Sequence, residues 1–255
     1  MIETPIFVIN LEKSENRKIF MDKQLSKLSK LSNNVVFFPA INGKDNPNFY
    51  LFKKYNEKKR FYRKGNLMNL SQLGCFASHY LLWEKCIELN RGIIILEDDA
   101  IIHQNFSEIY QFTSSKENIF EFFWLSPPAP VRRYQKGKEI YTIPNTNNKI
   151  SLYFKGWANT TGYFITPKAA QKLLDYCEEW IYDLDISMDR YWENKLHFLA
   201  ITPACVEPDF SLESNIPVYK KSNKTTTLVK IRKEYFNLID KIKSKYFNTL
   251  ALIKK

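Results

Sequence analysis

The segment Ile93-Ile94-Ile95-Leu96-Glu97-Asp98-Asp99 is the most strand-like run in the chain. Four consecutive apolar residues, three of them β-branched, read as a strand covered on both faces, as the central strand of a parallel sheet is. The run breaks off in three acids. Upstream, Ser71 to Leu89 reads as a helix, with Ser71 as its cap and Cys75, Ser78, Leu82, Cys86 and Leu89 along one side. Further upstream, Ile6 to Asn10 predicts a buried strand. Ser14 follows as an N-cap, and Ile19, Phe20, Leu25, Leu28 and Leu31 recur at helical spacing. Val35-Val36-Phe37-Phe38, closed by Pro39, completes a βαβ unit, which implies parallel strands. Asn46 to Asn66 has no clear period and reads as a loop with one helix.

Downstream, Phe120 to Leu125 predicts a strand broken by Ser126-Pro127-Pro128. A loop or hairpin extends from there to Ile150. Thr161 to Ile165 reads as a strand, Pro167 opens a helix, Asp183 to Trp192 turns into another, and Leu199 to Pro203 is a last strand. The alternation predicts an α/β fold with a mixed, mostly parallel sheet. Ligands of such sheets bind beyond the carboxyl ends of the strands, where Asn10 and Glu97-Asp98-Asp99 fall.

The 255 residues are 44% hydrophobic and 15% aromatic, enough for a sizeable core and against disorder. Cys75, Cys86, Cys177 and Cys205 form no C-x-x-C pair. With no histidine read at ligand spacing from them, neither a zinc site nor a disulfide scaffold is expected, and four reduced thiols are. No basic leader and no run of ~20 apolar residues is read, which leads to the expectation of a cytoplasmic protein. The net charge of +11 is uneven: residues 218–255 carry +9 and residues 1–217 carry +2. That split excludes a nucleic-acid-binding body, which would carry basic residues over its own face. It divides the chain into a body, 1–217, and a basic tail, 218–255. In the tail Leu228, Ile231, Tyr235, Leu238, Ile242, Tyr246, Leu250 and Ile253 advance in helical steps. Such a C-terminal amphipathic helix either lies on an anionic membrane at the inner face, or packs its stripe on the body.

Three successive acids beside a core need neutralising. A hard divalent cation, Mn²⁺ or Mg²⁺, suits them, since it takes carboxylate oxygens and completes its shell with substrate phosphates. A solvated acidic turn is the plainer alternative. Beside them, His79 is either a ligand-facing group or a satisfied helical histidine, and Arg17 either meets phosphate or lies on the surface.

Four ordered segments carry a resemblance: Phe7-Val8-Ile9-Asn10-Leu11-Glu12 with Arg17; Phe38-Pro39-Ala40-Ile41-Asn42-Gly43; Leu73-Gly74-Cys75-Phe76-Ala77-Ser78-His79 leading through Leu82-Trp83 to Ile95-Leu96-Glu97-Asp98-Asp99; and Thr161-Gly162-Tyr163 with Ala169-Ala170. Together they resemble glycosyltransferase family twenty-five, the lipooligosaccharide galactosyltransferase type, from the N-terminus to about Asn215. The resemblance implies a GT-A-type fold, a UDP-sugar donor, inversion at the anomeric carbon, and a lipid-linked oligosaccharide acceptor. It is nearest to bacterial β-1,4-galactosyltransferases, so the implied donor is UDP-galactose. Asp99 and Glu97 take the place of metal ligands, with Asp98 beside them. Asn10, Arg17, Gly43, Ser78, His79, Thr161 and Gly162 join Glu97 and Asp98 as donor-binding candidates. Gln72 stands where the family usually has Glu, which removes a charge there.

An inverting transfer needs a base for the acceptor hydroxyl. The candidates are Asp189 first and Asp185 second, four apart on one helical face, with Glu207 and Asp209 in reserve. The structural alternatives are a cap for Asp185 and a salt bridge to Arg190 for Asp189. Thr160 with Thr161 and Gly162 lines a sugar pocket in this reading. Trp157 either stacks on an acceptor sugar or belongs to the core. The rival class is a non-catalytic saccharide- or membrane-binding protein on the same scaffold.

Overall fold

The computed structural model describes residues 3–26, 28, 34–211 and 226–253. Leu31, the 217/218 boundary and the end of the resemblance near Asn215 lie outside them. Strand β1 (Ile6–Asn10) is followed by helix α1 (Glu15–Leu25) and strand β2 (Val35–Pro39). β1 pairs in parallel with β2 and with β3 (Ile93–Glu97), as the βαβ reading requires. Residues Ile93 to Leu96 are wholly buried. The eight-stranded sheet runs β2-β1-β3-β8-β5-β9-β7-β6. Its remaining strands are β5 (Phe122–Trp124), β6 (Lys138–Thr142), β7 (Lys149–Leu152), β8 (Gly162–Ile165) and β9 (Leu199–Thr202). Only β7 and β8 run against the common direction, so the sheet is mixed and mostly parallel. The stretch before Ile150 is thus a hairpin, β6–β7.

Alternation along β1 sends Phe7 and Ile9 to one face and Ile6 and Val8 to the other. The first face packs under α3 (Leu70–Glu88) and α5 (Pro167–Tyr176), with Phe76, Trp83 and Tyr163. The second packs against α1 and α4 (Phe106–Thr113) through Met21, Phe106 and Ile109. α3 begins one residue earlier than expected. Its cap is Asn69, not Ser71: the Gln72 amide donates to Asn69 Oδ1 at 2.8 Å and the Asn69 amide donates to Gln72 Oε1 at 2.9 Å. A glutamine serves this capping box as well as a glutamate, so the uncharged residue at 72 has a structural role. The loop before α3 holds helix α2 (Glu57–Lys64). Ser14 occupies the N-cap position of α1 without a side-chain bond.

After β3 the chain turns through Asp98 and Asp99 into β4 (Ala100–Ile102), which pairs antiparallel with β10 (Val206–Pro208). The predicted 183–192 region is two short helices, α6 (Leu184–Asp189) and α7 (Tyr191–Asn194).

The tail forms α8 (Thr227–Ile253), docked on α2 and α7. The face that docks is not the predicted stripe. Arg190, buried between Tyr182 and Trp192, grips Asp240 with two hydrogen bonds of 2.5 and 2.8 Å. Phe236 packs edge-on to Tyr62, and Phe247 packs on Tyr191. Leu228, Ile231, Tyr235, Leu238, Ile242 and Tyr246 face outward, each at least 57% exposed. Of the two alternatives for the stripe, packing on the body does not hold for these six residues, while α8 itself packs there by another face. No helix among the described residues is long and apolar enough to cross a membrane.

Candidate active site

Each acid of the triplet meets a different environment. Asp98 is spoken for on both oxygens: Asn10 Nδ2 donates to Oδ2 at 2.8 Å and Arg17 Nη1 donates to Oδ1 at 2.7 Å. Asn10 and Arg17 thus tie the end of β1 and the start of α1 to the turn after β3. Arg17 is neither a surface residue nor free for phosphate alone; it also lies 3.8 Å from Asp99. Glu97 accepts from Thr160 Oγ1 at 2.5 Å and faces His79 Nε2 at 3.6 Å. Burial opposes its ionisation, but the His79, Thr160 and Arg17 contacts outweigh that and hold its carboxyl below the usual range. Asp99 has the longer Arg17 contact through Oδ2. Its Oδ1 is buried with no hydrogen-bond partner among the described residues. Burial, then Glu97 and Asp98, push its carboxyl up to about 7 against the pull of Arg17.

His79 is buried and oriented. Trp83 Nε1 donates to the Tyr163 hydroxyl at 2.9 Å, and that hydroxyl is 2.9 Å from His79 Nδ1. With Trp83 supplying one proton to the oxygen, the hydroxyl's own proton goes to Nδ1, which leaves Nε2 protonated toward Glu97. Ser78 is consumed structurally: it donates to the Gly74 carbonyl and accepts from the Ile41 amide. A side chain at Gly43 would meet the Leu70 carbonyl at 1.9 Å, so this glycine lets the loop after β2 close onto α3. These contacts shape a cavity of about 300 Å³ lined by Arg17, Gly43, Ser78, His79, Glu97 and Asp99. A larger hollow of about 870 Å³ beside α2, lined by Lys54, Lys58, Glu179 and Arg232, lies away from the acids. The acid triplet lines the smaller cavity.

The other candidates divide. Thr160 links Glu97 to Asp185, whose Oδ1 is 3.2 Å from the Thr160 hydroxyl. Burial first, then Glu97, Asp183 and Asp189, push Asp185 up to about 7. Asp185 is not the cap of α6; Asp183 holds that position. Asp189 lines a separate cavity and is engaged by the amides of Trp157 at 2.6 Å and Ala158 at 3.2 Å, and by Arg132 at 3.1 Å. Its cation is Arg132 and not the expected Arg190, which pairs with Asp240 and Glu193. Thr161 bonds Asn159, and Gly162 lets β8 sit against Leu96 rather than admitting a substrate. Trp157 is a core residue, stacked on Trp124. Glu207 pairs with His103 and Arg133, and the Asp209 amide donates to the Asp99 carbonyl at 2.8 Å.

The residues present fit a hard divalent cation on one observation, the unpartnered buried Oδ1 of Asp99 beside Glu97. Asp99 would be the principal ligand, with Glu97 beside it. Sequence reasoning passed over a second cluster. Cys75 and His79 are one helical turn apart on α3, a ligand spacing, and with Glu97 they form a compact Cys-His-Glu group.

An α/β sheet of this type, with an acid triplet at the end of a central strand facing an open cavity, matches a GT-A-like glycosyltransferase fold. Residues 3–188 match the profile described as Glycosyltransferase family 25 (LPS biosynthesis protein), and the chain belongs to that family. It is 28% identical over 176 residues to "Glycosyltransferase 25 family member" of Aedes aegypti, covering 67% of this chain and 28% of the relative. It is 26% identical over 174 residues to human "Procollagen galactosyltransferase 2", covering 66% and 27%. To "Lipooligosaccharide biosynthesis protein lex-1" of Haemophilus influenzae it is 26% identical over 139 residues, covering 52% and 45%. The matches span between about a quarter and a half of these relatives' lengths.

Proposed function

We propose that this glycosyltransferase moves a hexose, galactose from UDP-galactose, onto a saccharide of lipooligosaccharide or lipopolysaccharide, with inversion and with Mn²⁺ or Mg²⁺. The observation that carries the reading is the Oδ1 of Asp99, buried without a hydrogen-bond partner among the described residues, on a side chain that lines the β3 cavity. A cation there would offset charge on the departing nucleoside diphosphate. Arg17 adds positive charge beside the triplet, Asn10 and Asp98 hold it in place, and His79 presents Nε2–H to Glu97. Asp185 takes the acceptor's proton through its place on Thr160. Galactose is supported by the name of the human relative, and the acceptor by that of the Haemophilus relative. The test is a panel of nucleotide sugars with purified protein and Mn²⁺. UDP-galactose is expected to be hydrolysed or transferred fastest. Turnover of no donor would favour the non-catalytic binding reading.

The same proposal places the protein at the inner face of the cytoplasmic membrane, where α8 lies on the surface. Its docked face leaves a row of Leu, Ile and Tyr outward, flanked by lysines of a tail carrying +9. Apolar side chains in the headgroup boundary and basic residues near lipid phosphates act together, at about 1 kcal/mol per basic residue. Serine at Ile231, Leu238 and Ile242 together is expected to weaken binding to anionic vesicles at least ~10-fold while the thermal midpoint holds, because these residues touch no core. Binding should also weaken as salt rises. Unchanged vesicle binding by the triple variant rules out the membrane assignment.

A further inference from the structure

Cys75 Sγ, a ring nitrogen of His79 and a carboxylate oxygen of Glu97 all lie within 4.8 Å of one another. Two of the ligands come from α3 and the third from the end of β3, so rigid elements hold the group. His79 Nδ1 is taken by Tyr163, which leaves Nε2 to the cluster, 3.6 Å from Glu97 Oε1. Nitrogen and oxygen ligands about 2.1 Å from a tetrahedral zinc ion stand about 3.4 Å apart, so this pair is nearly at the required edge length. In the tautomer that frees Nε2, Nδ1–H donates to the Tyr163 oxygen, which Trp83 also holds, and this outer-shell contact orients the metal-binding imidazole. Cys75 and Glu97 both line the 300 Å³ cavity, which supplies an entry path and an open fourth position.

The local field suits a cation. Glu97, Asp185, Asp183 and Asp99 all set negative charge around Cys75. The same negative charges attract a metal, and a thiol that binds one gives up its proton. Donor type separates this site from that of Asp99. Oxygen ligands alone suit Mn²⁺ or Mg²⁺, whereas a sulfur, nitrogen and oxygen set suits zinc.

We propose that Cys75, His79 and Glu97 form a three-ligand zinc site, and that its occupancy inhibits the transferase by withdrawing Glu97 from the diphosphate-binding end of the cavity. Zinc enters, the Cys75 proton leaves to solvent, and the imidazole proton moves from Nε2 to Nδ1, where it is donated to the Tyr163 oxygen, so that the Nε2 lone pair is free for the metal. The ligand set stands on geometry alone; the inhibition rests on the function proposed above.

The test uses the full chain, stripped of metal, titrated with Co²⁺ as a spectroscopic stand-in. A thiolate-to-cobalt charge-transfer band is expected at one equivalent, displaced by Zn²⁺ and absent in Cys75→Ser. Tyr163→Phe should weaken Co²⁺ binding about 10- to 100-fold by freeing the imidazole. A band that persists in Cys75→Ser, or no band in the unaltered protein, overturns the site. Should the serine variant not fold, alkylation of the unaltered protein read by mass spectrometry decides: Zn²⁺ is expected to protect Cys75, and equal labelling with and without Zn²⁺ overturns the site. Zinc should then lower donor turnover at fixed Mn²⁺. Zinc binding with unchanged turnover overturns the inhibition. Turnover of no donor counts against the proposed function and leaves the cobalt result to decide the ligands.

Discussion

Asp99→Ala is expected to cut donor turnover by at least ~10²-fold, the scale set by removing one group that stabilises charge in a transition state. Chelator should do the same to the unaltered protein. The variant should stay folded, and its stability should not fall. Burial and the neighbouring acids push the Asp99 carboxyl in the folded state up to about 7, above the ordinary aspartate range. A raised carboxyl contributes stability that is fully present below the unfolded value and is lost as pH rises through the folded one. At pH 8 without a cation, Asp99 is therefore an electrostatic cost, one that Glu97 and Asp98 add to. The thermal midpoint of Asp99→Ala at pH 8 should equal or exceed that of the unaltered protein, and the difference should shrink toward pH 4. Mn²⁺ should raise the midpoint of the unaltered protein more than that of the variant, because a ligand bound only by the folded state stabilises it. Full activity in chelator, or an Asp99→Ala enzyme as fast as its parent, defeats the metal assignment. A residue that costs stability and is kept for chemistry is the usual mark of an active site.

Short strands were legible because each opens on a run of four apolar residues. Ile6–Asn10, Val35–Pro39 and Ile93–Glu97 follow the sequence reading, as does their parallel pairing, since a βαβ crossover permits nothing else. The reversed β8 between β3 and β5 was not legible, because local pattern carries no information about which distant strand becomes a neighbour. The triplet announced itself as a site, but not the division of labour within it. That depends on Arg17, 81 residues away, choosing Asp98. Periodicity found the stripe of α8 and could not say what covers it. The docking face is written instead in Arg190–Asp240, Phe236 and Phe247, a charged pair and aromatics spaced among polar residues. Cys75 and His79 were legible and were passed over, because metal spacing was sought in C-x-x-C form and not as two positions one helical turn apart.

Asp185→Asn is expected to lower turnover by ~10²-fold or more while donor affinity is kept, and Asp189→Asn to do less. The sequence favoured Asp189, and the two differ in what their oxygens already do. Asp189 accepts from two backbone amides and Arg132, which fixes the 156–158 loop and leaves little capacity for a substrate proton. The Asp185 carboxyl meets the Thr160 hydroxyl and no backbone amide among the described residues. That hydroxyl has one proton, and its 2.5 Å contact with Glu97 claims it. The 3.2 Å contact is then satisfied when Asp185 is protonated and donates to Thr160, in keeping with a carboxyl pushed up to about 7. Glu97 on β3 and Asp183 and Asp189 on α6 all face it with negative charge. A base must begin ionised, so turnover at saturating donor should rise with pH through about 7 and level off above it. Asp185→Asn should flatten that rise. Asp189→Asn should keep the rise and lower the thermal midpoint, because the loop loses part of its anchor. If Asp185→Asn turns over near the parent rate with the rise intact, the base lies elsewhere, and Asp189, Glu207 and Asp209 are the carboxylates to substitute next.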